Sequence, residues 1–191
     1  MYNPSENLQN IDKTPLNFVL ANSNKVFINE EIDNLTCSHL LADISLIFDI
    51  PGNQFLEVFI NSPGGDWYTG ISIINMMEIA KEKGLTVNTY VTGEAASMAS
   101  MIALYGDNRF IHKNARHMIH FGSYWNEVHK ETEIKKSLKD MQEFHDNCID
   151  IYSKKTKMKK SFIEKIMEDE YGYMNAEDCI KYGIATQIIG E

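Results

Sequence analysis

Residues 55–65 have the sequence FLEVFINSPGG, in which a short apolar run is followed at once by turn-forming residues. The apolar run Phe55–Ile60 predicts a β-strand. The succession of Asn, Ser, Pro and Gly then predicts a tight turn where the strand ends. Adjacent glycines such as Gly64 and Gly65 can also present backbone N–H groups to a developing negative charge, because no Cβ stands in the way. A plain turn and an oxyanion-binding loop are both compatible with these residues.

The segments on either side of this turn alternate between strand and helix. Apolar residues at helical spacing predict helices at 35–50, 68–83 and 98–104. Short apolar runs predict strands at 25–28, 87–91, 108–111 and 117–119. A last unit begins at the candidate N-cap Asn175, forms a helix to Tyr182, and ends in a strand at 186–189. Strands that alternate with helices need crossover connections, so the sequence predicts an α/β fold.

Residues 127–156 depart from this alternation and predict one long amphipathic helix. Its apolar positions recur every three or four residues among charged and polar ones: Ile134, Leu138, Met141, Phe144, Cys148 and Ile151. An ordinary globular helix has about 11–12 residues, so this one is unusually long. It either lies along its own domain or projects and buries its apolar stripe against another subunit.

Composition limits the classes of function. The chain has 191 residues and a net charge of −9, which suits one globular domain and argues against nucleic-acid binding. Its three cysteines, Cys37, Cys148 and Cys179, have neither disulfide nor zinc-site spacing and are interpreted as reduced thiols. There is no phosphate-binding loop, and we expect neither a cofactor nor a metal ion.

The amino-terminal part differs in character from the rest. Residues 1–24 are polar, contain Pro4 and Pro15, and are interpreted as a flexible arm before a single domain at 25–191. They hold no apolar core of signal-peptide length. No stretch of about 18 apolar residues occurs in the chain, so we expect a cytoplasmic protein without membrane association.

Ser97 and two histidines are the strongest candidates for chemistry. Ser97 lies where an apolar strand meets an apolar helix, and small residues precede it. It is either a nucleophile exposed at the corner or an ordinary N-cap residue. His117 and His120 lie at a strand end and face opposite ways by strand alternation, so the sequence leaves open which of them faces Ser97. The other histidines lie on predicted helices or in a turn.

Four motifs occur together in an order and spacing that resemble the ClpP peptidase family. They are Ile60–Gly65 (INSPGG), Gly93–Met98 (GEAASM), Arg116–His120 (RHMIH) and Ala176–Gly183 (AEDCIKYG). The resemblance covers about residues 25–189 and implies a ClpP/crotonase-type fold of repeated β-β-α units. It further implies that Ser97 is the nucleophile, that His120 is its base, and that the N–H groups of Gly65 and Met98 form the oxyanion hole.

The resemblance also implies an assembly. The long helix is similar to the family's handle, here about residues 121–160, which implies two stacked heptameric rings. The implied partner is an AAA+ unfoldase of the Clp type, which would supply ATP hydrolysis and deliver unfolded proteins as substrates. This interpretation favours a projecting helix over one that lies along its own domain.

Two departures from the family pattern bear on activity. The family's third catalytic residue, an aspartate, corresponds to Tyr171, and Glu170 or Asp169 could supply the carboxylate if the loop is shifted. Glu170 is the preferred candidate. The residues after His120 are Phe121-Gly122 where the family has Gln-Pro, and an aromatic segment at 123–125 follows, which predicts an altered substrate groove.

Two alternatives to an active peptidase remain. The chain could be a catalytically silent structural subunit of a mixed ring, in which no acid orients His120. It could also be an acyl-CoA enzyme on the same fold, although the Ser97 and His120 motifs would then have no role.

Overall fold

The computed structural model describes residues 23–122, 130–168 and 172–190. Three sequence predictions fall outside these ranges: most of the amino-terminal arm, the aromatic segment at 123–125, and the candidate acids Asp169 and Glu170 with their neighbour Tyr171.

A mostly parallel sheet forms the centre of the fold. Its strands are β1 (Lys25–Ile28), β2 (Phe55–Ser62), β3 (Thr86–Ala96), β4 (Asn108–His112), β5 (Arg116–Met118), β6 (Tyr173–Met174) and β7 (Gln187–Ile189). The order across the sheet is β1-β2-β3-β4-β7, with all neighbours parallel. The carboxyl-terminal residues of β3, Glu94 to Ala96, pair with β5 and not with β4. Strand β6 pairs with β5 in antiparallel orientation. The predicted α/β architecture is therefore confirmed.

Six helices connect and cover these strands within the described residues. They are α1 (Asn34–Phe48), α2 (Trp67–Glu82), α3 (Met98–Ala103), α4 (Glu131–Lys155), α5 (Lys160–Glu168) and α6 (Ala176–Tyr182). Helix α6 begins as predicted, because the Asn175 side chain accepts a hydrogen bond from the N–H of Asp178 at 2.9 Å. None of the helices in the described parts of the chain is both long and apolar enough to cross a bilayer.

The core lies between one face of the sheet and helices α1 to α3. Its fully buried side chains come alternately from strands and helices, and include Ile44, Ile60, Met77 and Ile102. The opposite sheet face carries a row of stacked rings, one from each of four adjacent strands: Phe27, Phe59, Tyr90 and Phe110. Neighbouring ring centroids are 5.1, 4.6 and 4.7 Å apart, because these residues occupy paired positions in the sheet.

Helix α4 contacts the domain mainly through its carboxyl-terminal part. Its buried residues are Cys148, Ile149 and Tyr152, all near that end. Ile134 and Leu138, near the other end, are 48% and 57% exposed although both are apolar. The apolar stripe on the first half of the helix therefore has little cover from the described residues.

Candidate active site

Ser97 occupies a strained corner between β3 and α3. Its backbone has φ 52° and ψ −123°, a conformation that residues with a side chain rarely adopt and that costs about 1–3 kcal/mol. The side chain makes no capping hydrogen bond to α3. The interpretation of Ser97 as an ordinary N-cap is therefore wrong, and the strain has to be explained by something other than helix initiation.

The glycine turn after β2 lies directly against this corner. A Cβ on Gly64 would stand 2.7 Å from the Cβ of Ser97 and 2.9 Å from the nitrogen of Met98, closer than real atoms approach. Gly64 also has φ 96°, which favours glycine. The turn and the serine corner thus fit together only because residue 64 has no side chain.

Hydrogen bonds fix the position of the turn. The N–H of Gly64 donates to the Ser62 hydroxyl at 3.1 Å, and that hydroxyl donates to the Glu30 carbonyl at 2.6 Å. Ile32 bonds on both sides of Gly65, donating to the Gly64 carbonyl and accepting from the N–H of Asp66, each at 2.8 Å. The N–H groups of Gly65 and Met98 donate to no acceptor within the described residues, so both are free to bind an oxygen atom.

The structure distinguishes the two histidines. His117 is fully buried, and its ring packs edge-on against Tyr152 with centroids 6.5 Å apart. Neither ring nitrogen of His117 has a partner in the described parts of the chain, and burial lowers its pKa to about 3. His120 is only partly buried and faces the cavity that also contains Ser97. The two histidine side chains therefore face opposite ways, as strand alternation predicts, and His120 is the one on the same side as Ser97.

A cavity of about 800 Å³ joins these groups. Ser97, Met98, His120 and Gly65 all line it. Its remaining walls come from the start of α2 and from one face of α4, where Trp67 packs against Phe144 with ring centroids 4.6 Å apart. This volume is within the range of small-ligand sites.

His120 has no acidic partner among the described residues. No carboxylate there forms a hydrogen bond or ion pair with it, and burial lowers the pKa of its ring. The backbone on either side of it is held, however: the N–H of Ile119 donates to the Gly172 carbonyl and that of Phe121 to the Met167 carbonyl, both at 3.2 Å. The chain between Met167 and Gly172 therefore begins and ends beside His120.

The segment after His120 packs against α4. The ring of Phe121 contacts that of His145 in a tilted arrangement, with an interplanar angle of 31° and centroids 4.1 Å apart, and a Cβ on Gly122 would stand 3.0 Å from the ring of Phe144. The departure of Phe121-Gly122 from the family pattern thus coincides with an aromatic cluster formed by Phe121, Phe144, His145 and Trp67. No local sequence pattern reveals this cluster, because Trp67 and Phe144 are far apart in the chain.

Taken together, a serine hydroxyl, an imidazole and two free N–H groups face one cavity. A nucleophilic acyl-transfer site, the class of site that cleaves esters and amides, uses groups of these kinds. The comparisons with known proteins agree with this class. The model of the Clp protease family matches residues 11–191.

A relative from Deinococcus radiodurans, described as an ATP-dependent Clp protease proteolytic subunit, is 30% identical to this chain over 171 residues. That match covers 87% of this chain and 80% of the relative. The chain belongs to the Clp protease family, and its fold is that of the ClpP peptidase subunits.

Proposed function

We propose that this chain is a serine endopeptidase subunit in which Ser97 is the nucleophile and His120 its general base. The observation that carries the proposal is the strained conformation of Ser97 at the wall of a cavity that His120 also lines. Strain of this kind persists where the surrounding structure enforces it, and it is concentrated at functional sites. Membership of the Clp protease family supports the same assignment.

The reaction follows from these groups. His120 accepts the Ser97 proton as the Oγ attacks the peptide carbonyl, and the resulting oxyanion receives hydrogen bonds from the N–H groups of Gly65 and Met98. His120 then returns the proton to the leaving amine, which leaves an acyl group on Ser97. Water attacks the acyl group by the same sequence of proton transfers and restores the enzyme.

We propose that a carboxylate from residues 169–170 orients His120, with Glu170 preferred over Asp169. The hydrogen bonds at Met167 and Gly172 support this proposal, because they bring both ends of that short segment to the residues flanking His120. An acid at this position would hold the imidazole in the tautomer that accepts the serine proton and would stabilise the imidazolium.

We further propose that residues 25–191 act as one peptidase domain with residues 121–160 as its handle, and that two heptameric rings stack through it. The exposed apolar residues of α4, Ile134 and Leu138, support such an interface. An AAA+ unfoldase of the Clp type would feed unfolded chains into the chamber. The Deinococcus relative, described as the proteolytic subunit of an ATP-dependent protease, supports that partnership.

The alternative is a catalytically silent subunit of a mixed ring. One observation favours it: within residues 23–122, 130–168 and 172–190 no acid contacts His120. Removing the orienting acid of a serine peptidase lowers turnover about 10⁴-fold, so such a subunit would be nearly inactive.

A fluorophosphonate probe on the assembled protein separates the two functions. Labelling of Ser97 that is lost in Ser97→Ala and in His120→Ala, together with cleavage of an unstructured peptide, is the expected result. Ser72→Ala is the matched control, since Ser72 is an exposed serine on α2. Glu170→Gln should lower peptide cleavage far more than Asp169→Asn. An assembled protein that neither labels nor cleaves would overturn the peptidase assignment and leave the silent subunit.

A further inference from the structure

A buried serine holds the backbone carbonyl of Ser97. Ser100 is fully buried in α3, and its hydroxyl donates to the carbonyl oxygen of Ser97 at 2.5 Å. The N–H of Ser100 donates to the same oxygen at 3.0 Å. The carbonyl on the far side of the strained residue therefore has two donors, both from residue 100.

A second buried hydroxyl, on α4, orients the first. The hydroxyl of Tyr152 is hydrogen-bonded to that of Ser100, across 52 positions of sequence. A carbonyl oxygen can only accept, so the Ser100 hydroxyl donates its one hydrogen bond to the carbonyl of Ser97. The hydroxyl of Tyr152 is therefore the donor in its bond with Ser100. Burial raises the pKa of Tyr152, which keeps its proton in place.

The direction of this carbonyl decides where the proposed oxyanion donor points. The C=O of Ser97 and the N–H of Met98 belong to one planar trans peptide unit and point in opposite directions. A rotation of that unit, which changes ψ of Ser97 from −123°, would turn the N–H of Met98 away from the cavity. Donors on the carbonyl side therefore resist the rotation that would dismantle the oxyanion hole.

We propose that Ser100 and Tyr152 are positioning residues that hold the Met98 N–H toward the reacting carbonyl and so tie the active site to helix α4. This inference rests on the proposed function, in which Met98 supplies an oxyanion donor. The contrary interpretation is that the two hydroxyls only satisfy each other inside the core. The two interpretations differ in whether removing one hydroxyl changes transition-state binding or only stability.

Tyr152→Phe removes the donor and keeps the ring. The complete loss of an oxyanion donor lowers kcat about 10²–10³-fold. In Tyr152→Phe the Met98 N–H is still present but less firmly oriented, so kcat should fall only about 10-fold. We expect that fall in kcat with KM nearly unchanged. Affinity for a peptide boronate, whose tetrahedral adduct places an oxygen in the hole, should fall by the same factor, while affinity for the product peptide stays constant.

Ser100→Ala should have the same effect, and the double variant should be no worse than the more damaging single one, since both hydroxyls act through one carbonyl. The matched controls are Tyr105→Phe, a partly buried tyrosine, and Ser45→Ala, which removes a similar hydroxyl-to-carbonyl bond of 2.7 Å in α1. Both should leave kcat and boronate affinity unchanged. A lower melting temperature in Tyr152→Phe with wild-type kcat and boronate affinity would leave only the core-packing interpretation.

Hydrogen exchange measured on a peptide that covers Ser97–Met101 provides a readout independent of catalysis. Faster exchange is expected in Tyr152→Phe, because the hydrogen bond from the Ser100 N–H to the Ser97 carbonyl should weaken. If the wild-type protein is neither labelled by the probe nor cleaves peptide, the proposed function fails. If hydrogen exchange at Ser97–Met101 is the same in Tyr152→Phe as in the wild type, the positioning role fails, whatever the outcome for the function.

Discussion

Residue 97 shows how a single unfavourable conformation depends on its neighbours. A glycine without a side chain lies opposite the corner, and the carbonyl of Ser97 accepts two hydrogen bonds. In this conformation Ser97 makes no capping hydrogen bond to α3, as a relaxed serine at a helix start would, and it lines the cavity instead.

Gly64→Ala tests the close contact at this corner. The new Cβ would overlap the Cβ of Ser97 and the Ala96 carbonyl, so the serine has to move, and fluorophosphonate labelling should fall at least about 10-fold by analogy with a displaced nucleophile. Gly84→Ala is the control: Gly84 also has positive φ, at 90°, but a Cβ there meets no atom within 4 Å. It should cost about 1–2 kcal/mol of stability, because an alanine at this φ is strained, and leave labelling unchanged. Equal labelling in both variants would argue against the contact.

The buried ring of His117 predicts a pH-dependent stability. Its pKa is about 3 in the folded chain and about 6.5 when unfolded, so between these values the unfolded chain binds a proton that the folded chain excludes. Stability is therefore fully present above pH 6.5 and should fall by about 1.4 kcal/mol for each pH unit below it, until the pH approaches 3.

His117→Phe should remove this slope. The measurement is urea unfolding at fixed protein concentration between about pH 4 and 7, where the difference between wild type and variant isolates the contribution of His117. His39→Gln, on the exposed side of α1, should leave the wild-type slope in place. If the variant and wild type lose stability in parallel on acidification, the ring of His117 is not the source.

At the scale of elements, the sequence predicted what depends on local pattern. The strand at Lys25–Ile28 matches its predicted bounds, and α1, α2 and α6 lie within two residues of theirs. Strand β3 continues to Ala96, beyond the predicted Val91, because its second half pairs with β5 and not with β4. A strand that pairs first with one neighbour and then with another shows no corresponding change in the spacing of its apolar residues.

Helix α5 and strand β6 were not predicted, for a related reason. Strand β6 has two residues and exists through its antiparallel pairing with β5. The charged run at 154–160 obscured α5, although Ile163 and Met167 on its buried face have helical spacing. Within the site, Ser97 and His120 could be proposed from motifs, whereas the bond between Ser100 and Tyr152 joins positions too distant for any local pattern to reveal.

At the scale of the whole molecule, two apolar surfaces are only partly covered by the described residues. One is the stripe on the first half of α4, and the other is the row of stacked rings on the outer sheet face. Both are uncommon on a monomeric protein, which favours an assembly with more than one kind of interface. The half of α4 that carries the stripe also contributes Lys136 and Asp140 to the wall of the cavity.

Ile134→Lys combined with Leu138→Lys tests whether the stripe joins two rings. A charge at each of these positions in an apolar interface cannot be desolvated without a partner, so contacts through α4 should be lost while contacts within a ring remain. Sedimentation velocity should show a species of half the wild-type mass.

Leu35→Lys combined with Leu46→Lys provides the control for that experiment. Both leucines are exposed, at 64% and 45%, and they lie on α1, away from the stripe. This variant should sediment as the wild type does. A particle of unchanged mass in the α4 variant would place the stacking surface elsewhere, whereas a monomer would mean that α4 also holds each ring together. The mass of the particle thus decides which interface the long helix forms.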